Sequence, residues 1–137
     1  QDVDIYEGET AAETVVRMLQ NNGYSVDYTG NYETGFYLAR ISSESNFVTG
    51  NIPEDLRTKL EEHGFEIYDF TPNSLGDYDF TKGSGWMSQV NGVYPNYGLS
   101  DYCFQNGDTL RLRFTLAYGA DIGQDMTGGS DNWGYEW

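Results

Sequence analysis

A strict alternation of apolar and polar residues at 109–116 most constrains the fold. The apolar positions are every second residue, namely Leu110, Leu112, Phe114 and Leu116. The intervening positions are polar or cationic, namely Thr109, Arg111, Arg113 and Thr115. Because successive side chains of a strand point to opposite faces, this pattern predicts a β-strand with one buried face and one wet face. The chain must therefore build a sheet that covers a core.

Further strands are predicted where short apolar and aromatic runs are bounded by Gly, Asn or Thr. These runs are residues 24–28, 36–41, 65–70, 86–90 and 102–105. Asn91-Gly92 follows the fourth run and predicts a tight hairpin, since both residues tolerate a positive φ. Asn106-Gly107-Asp108 follows the last run and predicts a second turn.

Two helices are predicted. Residues 10–13 have the S/T-x-x-E form of a capping box, in which Thr10 caps the helix. Apolar residues then recur at helical spacing until Gly23. The second helix runs from Pro53 to His63, with Pro in the first turn and Gly after the last, and we expect it to be short and mostly solvated.

Charge limits the classes of partner. The chain has 22 Asp and Glu residues against 7 Lys and Arg, which gives a net charge of −15. Such a charge repels nucleic acids and anionic lipids, so we expect neither as a partner. No apolar run approaches the ~20 residues that span a bilayer, and residues 1–4 lack the basic and apolar regions of a signal peptide. One Cys, high acidity and many small polar and Tyr residues are typical of extracellular or cell-surface modules.

Catalytic motifs are absent from the sequence. The single His63 lies at a predicted helix end, and Cys103 lies in an apolar-aromatic run where we expect a small buried hydrophobe. Carboxylate pairs such as Asp77 and Asp79 could serve a glycosidase, but a chain this acidic offers many such pairs by chance. We therefore predict that the chain is not an enzyme.

A metal remains possible in chemical terms, because carboxylate oxygens suit Ca²⁺ whereas Zn²⁺ needs Cys or His. Asp121, Asp125 and Asp131 are the candidate calcium ligands, although no EF-hand pattern is present. They flank the start of an acidic, Gly-rich and aromatic segment at 126–137, which we expect to be an irregular tail.

Several motifs together resemble the transcobalamin-like C-terminal domain family. Residues 83–92 read GSGWMSQVNG, 94–98 read YPNYG and 106–112 read NGDTLRL. Residues 7–10 read EGET and 121–125 read DIGQD, which are similar to the opening and the ending of bacterial members. The resemblance covers residues 5–41 and 83–125.

This resemblance implies an α+β chain with a β-grasp (ubiquitin-like) fold, in which a mixed sheet packs on one main helix preceded by an early strand. The domain would occupy residues 1–125, with residues 42–82 as an insertion that carries the second helix. In vitamin B12 carriers, a domain of this type closes over the corrinoid. In bacteria, similar domains are modules of secreted or surface proteins.

The candidate binding residues are Gly85, Trp86, Met87, Pro95 and Tyr97. They either pack the hairpin or form a face that meets a ligand or a neighbouring domain, and the sequence leaves both readings open. We expect a non-catalytic binding module of a secreted or surface protein. The alternatives are part of a cobalamin site shared with a partner domain, and a structural spacer.

Overall fold

The computed structural model describes residues 2–48, 50–95 and 97–123. The helices and strands, in chain order, are α1 (Ala11–Asn21), β1 (Tyr24–Thr29), β2 (Tyr37–Ser43), α2 (Glu54–Glu62), β3 (Ser74–Gly76), β4 (Gly85–Val90) and β5 (Leu110–Thr115). The strands form two antiparallel sheets, ordered β1-β2-β3 and β4-β5. The predicted α+β class is confirmed.

The first helix begins and ends where the sequence predicts. The N–H of Glu13 donates to Thr10 Oγ1 at 3.3 Å, so Thr10 satisfies one of the free amides of the first turn. Gly23 follows the last turn with a φ of +87°. Val15, Val16 and Leu19 bury one face of α1 against Leu38 and Ile41 of β2, as the helical spacing requires.

Residues 42–82 contribute directly to both halves of the fold. Leu56 and Leu60 of α2 are 0% exposed and belong to a second hydrophobic cluster with Phe114 and Leu116. Downstream in the same segment, β3 pairs with β2. The segment that we expected as an insertion therefore supplies a helix to one core and an edge strand to the first sheet.

The expected single mixed sheet is wrong for the part of the chain that the structure describes. Each strand pair is antiparallel, and the parallel contact is one isolated bridge between Gly83 and Ala117. β2 and β4 lie near each other without sharing a ladder, since β4 pairs with β5 alone. A β-grasp arrangement remains an expectation.

Two predicted strands and the early strand before α1 do not form. At 65–70 the backbone makes isolated bonds, including one from the N–H of Tyr68 to the carbonyl of Phe80 at 2.5 Å. At 102–105 the carbonyl of Tyr102 accepts instead from the first N–H of α1, at 2.6 Å. These segments have strand-like composition, but no neighbouring strand is positioned to build a ladder with them.

The second face of β5 is wet at Thr109 and Arg111, as predicted, but buried at its C-terminal end. Arg113 and Thr115 are each 4% exposed, because the chain after β5 folds back over them. Arg113 Nη1 donates to the carbonyl of Ile122 at 3.1 Å, and the Thr115 hydroxyl donates to Asp121. Alternation correctly predicts the strand, but the covering of its polar face depends on tertiary structure.

Candidate functional site

The hairpin that follows β4 has the predicted two-residue turn. Val90 and Val93 exchange backbone hydrogen bonds of 2.9 and 3.1 Å, and Asn91 and Gly92 adopt φ values of +54° and +82°. These are the positive angles that a tight type I′ turn requires. The turn directs the following residues back along the outer edge of β4.

A groove of about 220 Å³ lies between β2 and β4. Its walls are residues 36–38 on the β2 side and 86–88 on the β4 side, and the remaining lining comes from the chain after the hairpin and from Leu112. We call it the Trp86 groove. Three predicted site residues, Trp86, Met87 and Pro95, line it and are half-buried.

Trp86 both lines the groove and joins the two halves of the fold. Its indole Nε1 donates to the carbonyl of Leu75 at 2.8 Å. The ring meets Phe114 edge-on, with centroids 5.3 Å apart, and packs against both hydrophobic clusters. The indole is therefore held in one orientation at the wall of the groove.

Gly85 lies beside the groove and not in its lining. A Cβ at this position would come within 2.9 Å of the Tyr37 hydroxyl and 3.1 Å of Asp77 Oδ1. Those two groups are themselves joined, since the Tyr37 hydroxyl donates to Asp77 at 2.6 Å. The absence of a side chain at 85 therefore allows β4 to approach a hydrogen-bonded pair whose tyrosine lines the groove.

Tyr94 anchors the loop that closes the groove, a role that sequence reasoning missed. Its hydroxyl donates to the carbonyl of Ile122 at 2.8 Å and accepts from Arg113 Nη1 at 3.0 Å. Burial raises the pKa of Tyr94 above its ordinary value, an effect that nearby Arg113 opposes. The hydroxyl is therefore a neutral donor at neutral pH, and it fixes the loop to the chain beyond β5.

Tyr97 lies outside the groove lining. It is 41% exposed and stacks on Tyr102, with ring centroids 5.0 Å apart. The Tyr102 hydroxyl donates in turn to Asp108 at 2.5 Å, which raises the pKa of Tyr102 to about 12. Asp108 also accepts from Asn91 Nδ2 at 2.9 Å, so the two predicted turns are joined side by side. No sequence signal pairs these turns.

Asp121, proposed as a calcium ligand, is 0% exposed. One carboxylate oxygen accepts from the N–H of Leu116 at 2.9 Å, and the other accepts from the Thr115 hydroxyl. Asp125 and Asp131 lie outside the described residues. Within the described ranges, no group of three or more His, Cys, Asp and Glu residues is arranged to hold a metal ion. The calcium site stays a prediction.

The two residues considered for nucleophilic or base chemistry lie apart from the Trp86 groove lining. His63 is the C-terminal capping residue of α2, as predicted. Cys103 is exposed, so the expectation of a buried hydrophobe is wrong. Its neighbours Tyr102 and Phe104 turn inward to pack on the first cluster, and the alternation of an extended chain leaves Cys103 facing outward.

Comparison with known proteins gives one partial match. Residues 62–115 match the family model described as a domain of unknown function (DUF4430). That stretch runs from the end of α2 through β5 and includes the hairpin and most of the groove. No curated protein and no solved structure gives a significant match. The family match is consistent with a transcobalamin-like domain.

Over residues 2–48, 50–95 and 97–123, no helix has the length and apolarity to cross a membrane.

Proposed function

We propose that this chain is a non-catalytic interaction module of a secreted or cell-surface protein, and that it binds one large apolar side chain of a partner protein in the Trp86 groove. The observation that carries the proposal is the meeting of Trp86, Met87 and Pro95 in one groove, with Tyr37 exposed at its edge. Interfaces concentrate their binding energy where such an anchor enters a pocket lined by aromatic and aliphatic groups.

The size of the groove supports a protein partner. Sites for small molecules usually enclose roughly 300–1,000 Å³. The Trp86 groove, at about 220 Å³, lies below that range. A single side chain presented by a partner can fill it, while the surrounding surface supplies the remaining contact area.

The composition of the groove supports a role without catalysis. None of its described lining residues is Asp, Glu, His, Lys or Cys. General acid–base mechanisms draw mainly on those residue types, and a serine hydroxyl such as that of Ser88 needs one of them as its base to act as a nucleophile. The hydroxyls of Tyr37 and Tyr94 that lie there are already engaged with Asp77 and Ile122.

Hydrogen bonds within the chain hold two walls of the groove. The Trp86 indole is bonded to Leu75, and Tyr94 ties the closing loop to Ile122. A preformed site loses less conformational entropy on binding, so a small groove can still contribute useful affinity.

Selection of linear peptides from a display library against the purified chain tests this proposal. We expect the selected peptides to share a large apolar or aromatic residue. Met87→Glu introduces a charge into the groove and should weaken their binding about tenfold or more, or about 1.4 kcal/mol. Val93→Glu is the matched control, because Val93 is 64% exposed at the hairpin tip and does not line the groove.

A second variant controls for the case in which Met87→Glu does not fold. Ser88→Trp fills the groove from β4 without adding charge, and should have the same effect as Met87→Glu. Peptides that bind both variants as well as the parent would refute the proposal. A library that yields no binder would instead favour the spacer role.

A further inference from the structure

A second and larger cavity, of about 740 Å³, lies on the helix side of the first core. Its walls come from three parts of the chain: the arm at residues 2–5, the face of α1 that carries Thr14 and Met18, and residues 104–110. Its volume falls in the range of about 300–1,000 Å³ that is typical of small-molecule sites. Nothing in the sequence patterns pointed to it, because its walls are distant along the chain.

The lining of this arm cavity combines an apolar interior with acidic groups. Each wall contributes apolar side chains, for example Val3 from the arm, Met18 from α1 and Phe104 from residues 104–110. Among the described lining residues, the charged ones are Asp2 and Asp108, and both are acidic. An occupant with an apolar body and a positive head would match both parts of this lining.

Asp108 is held in place as a carboxylate. Its Oδ2 accepts from the Tyr102 hydroxyl and from the N–H of Gln105, and its Oδ1 accepts from Asn91 Nδ2. These bonds, that of Tyr102 first, lower the pKa of Asp108, so the group is charged at neutral pH. A carboxylate oxygen has two acceptor sites, so Oδ1 keeps one for a cationic donor.

The arm that closes the cavity is anchored beyond its lining. Arg17 Nη2 donates to the carbonyl of Asp4 at 2.6 Å and to Glu9 Oε1 at 2.8 Å. The same guanidinium lies 4.6 Å from the centre of the Tyr6 ring. The Arg17 guanidinium of α1 therefore holds the arm in place.

We propose that the arm cavity binds a small amphipathic cation, which has an aliphatic or aromatic body and one ammonium or guanidinium head. The body occupies the apolar interior, and the head donates to Asp108. The net charge of −15 raises the local concentration of such cations around the whole chain. This site is separate from the Trp86 groove, although Leu112 lines both.

Titrations of the ¹⁵N-labelled chain with octylammonium and with octanoate test the proposal, because the two probes share a body and differ in the sign of the head. We expect saturable shifts of amides around Met18 and residues 104–110 with octylammonium, and at least tenfold weaker binding of octanoate. Binding of octylammonium should also weaken as salt is added. Equal affinity for the two probes, or shifts confined to other parts of the chain, would overturn the proposal.

Variants of the lining residues locate the site. Gln105→Trp should block the cavity and weaken octylammonium binding about tenfold, whereas Glu62→Trp, at an exposed position of α2 outside the lining, should not. Val3→Lys, which places an ammonium on the arm, gives a second route to the same loss. Undiminished binding to both cavity variants would refute the assignment. Val93→Glu, at the exposed hairpin tip outside both linings, should leave octylammonium binding intact.

Discussion

Trp86 and Leu75 are joined by a hydrogen bond of 2.8 Å from the indole Nε1 to the backbone carbonyl. Trp86 belongs to β4 and Leu75 to β3, so the bond crosses from one sheet to the other. The two sheets share no ladder, and this contact therefore fixes how the wall of the groove sits against the first sheet. Trp86 therefore serves both the stability of the fold and the binding site that we propose.

Trp86→Phe should measure the contribution of this bond to stability. The phenyl ring keeps the contact with Phe114 but leaves the Leu75 carbonyl without its donor, so we expect a loss of roughly 0.5–1.5 kcal/mol in the free energy of unfolding. Urea denaturation provides the measurement. Tyr97→Phe, on an exposed ring, should stay within about 0.5 kcal/mol of the parent. A variant at 86 as stable as the parent would show that the indole bond contributes nothing.

The sequence predicts best those features that depend on neighbouring residues. The N-cap at Thr10, the positive φ values of Asn91 and Gly92 and the strand β5 are each set within a few residues, and each is confirmed. Three of the candidate binding residues lie together in the groove for a local reason, since Trp86 and Met87 are adjacent in sequence and Pro95 lies just beyond a tight turn. That they bind a partner stays a prediction.

The incorrect or missed features depend on distant partners. Arg113 and Thr115 were expected to face solvent, but the chain at 120–122 covers them. The segments at 65–70 and 102–105 have the composition of strands, yet find no ladder. A period-two pattern specifies which side chains share a face, and says nothing about what covers that face.

Thr10→Ala tests the helix cap. Removing the oxygen that accepts from Glu13 leaves an amide of the first turn unsatisfied, so we expect a loss of roughly 0.5–2 kcal/mol in unfolding free energy. Thr58→Ala is the matched control, because Thr58 is an exposed threonine inside α2 where alanine favours the helix. Equal effects of the two substitutions in urea denaturation would argue against a cap at Thr10.

Asp121→Asn tests whether the buried carboxylate serves the protein or an ion. The amide group of Asn would face one of the donors from Thr115 and Leu116, so we expect a loss of about 1–3 kcal/mol. If Asp121 serves only to accept these two hydrogen bonds, the loss in unfolding free energy is the same in EDTA and in millimolar calcium. A loss seen in calcium alone, together with a calcium-dependent rise in the melting temperature of the parent, would support the metal site.

The ion pair between Glu9 and Arg17 makes the free energy of unfolding depend on pH. Arg17 contacts both of its oxygens, at 3.0 and 2.8 Å, and this bond, opposed by burial, lowers the pKa of Glu9 below its ordinary 4.5. The stabilisation is complete above that ordinary value and is lost as the pH falls through the lower folded value. Glu9→Gln should therefore be less stable than the parent near neutral pH, and the gap should narrow below about pH 4. Arg17→Gln should also make the unfolding free energy depend less on pH, because it removes the partner of Glu9. A difference in unfolding free energy between Glu9→Gln and the parent that stays constant from about pH 6 to about pH 3 would contradict this account.

The final prediction concerns cobalamin. The groove of about 220 Å³ is smaller than sites that enclose even modest ligands, and His63 lies at the end of α2, outside the groove lining. Contact from Trp86, Met87 and Pro95 on one face, without imidazole coordination of cobalt, should give weak binding, no tighter than the high micromolar range or on the order of −5 to −6 kcal/mol. Calorimetric titration of the chain with cobalamin, with Met87→Glu as the groove variant, checks this expectation. Nanomolar binding that this substitution abolishes would make the chain part of a corrinoid site and would displace the protein-interaction role that we propose.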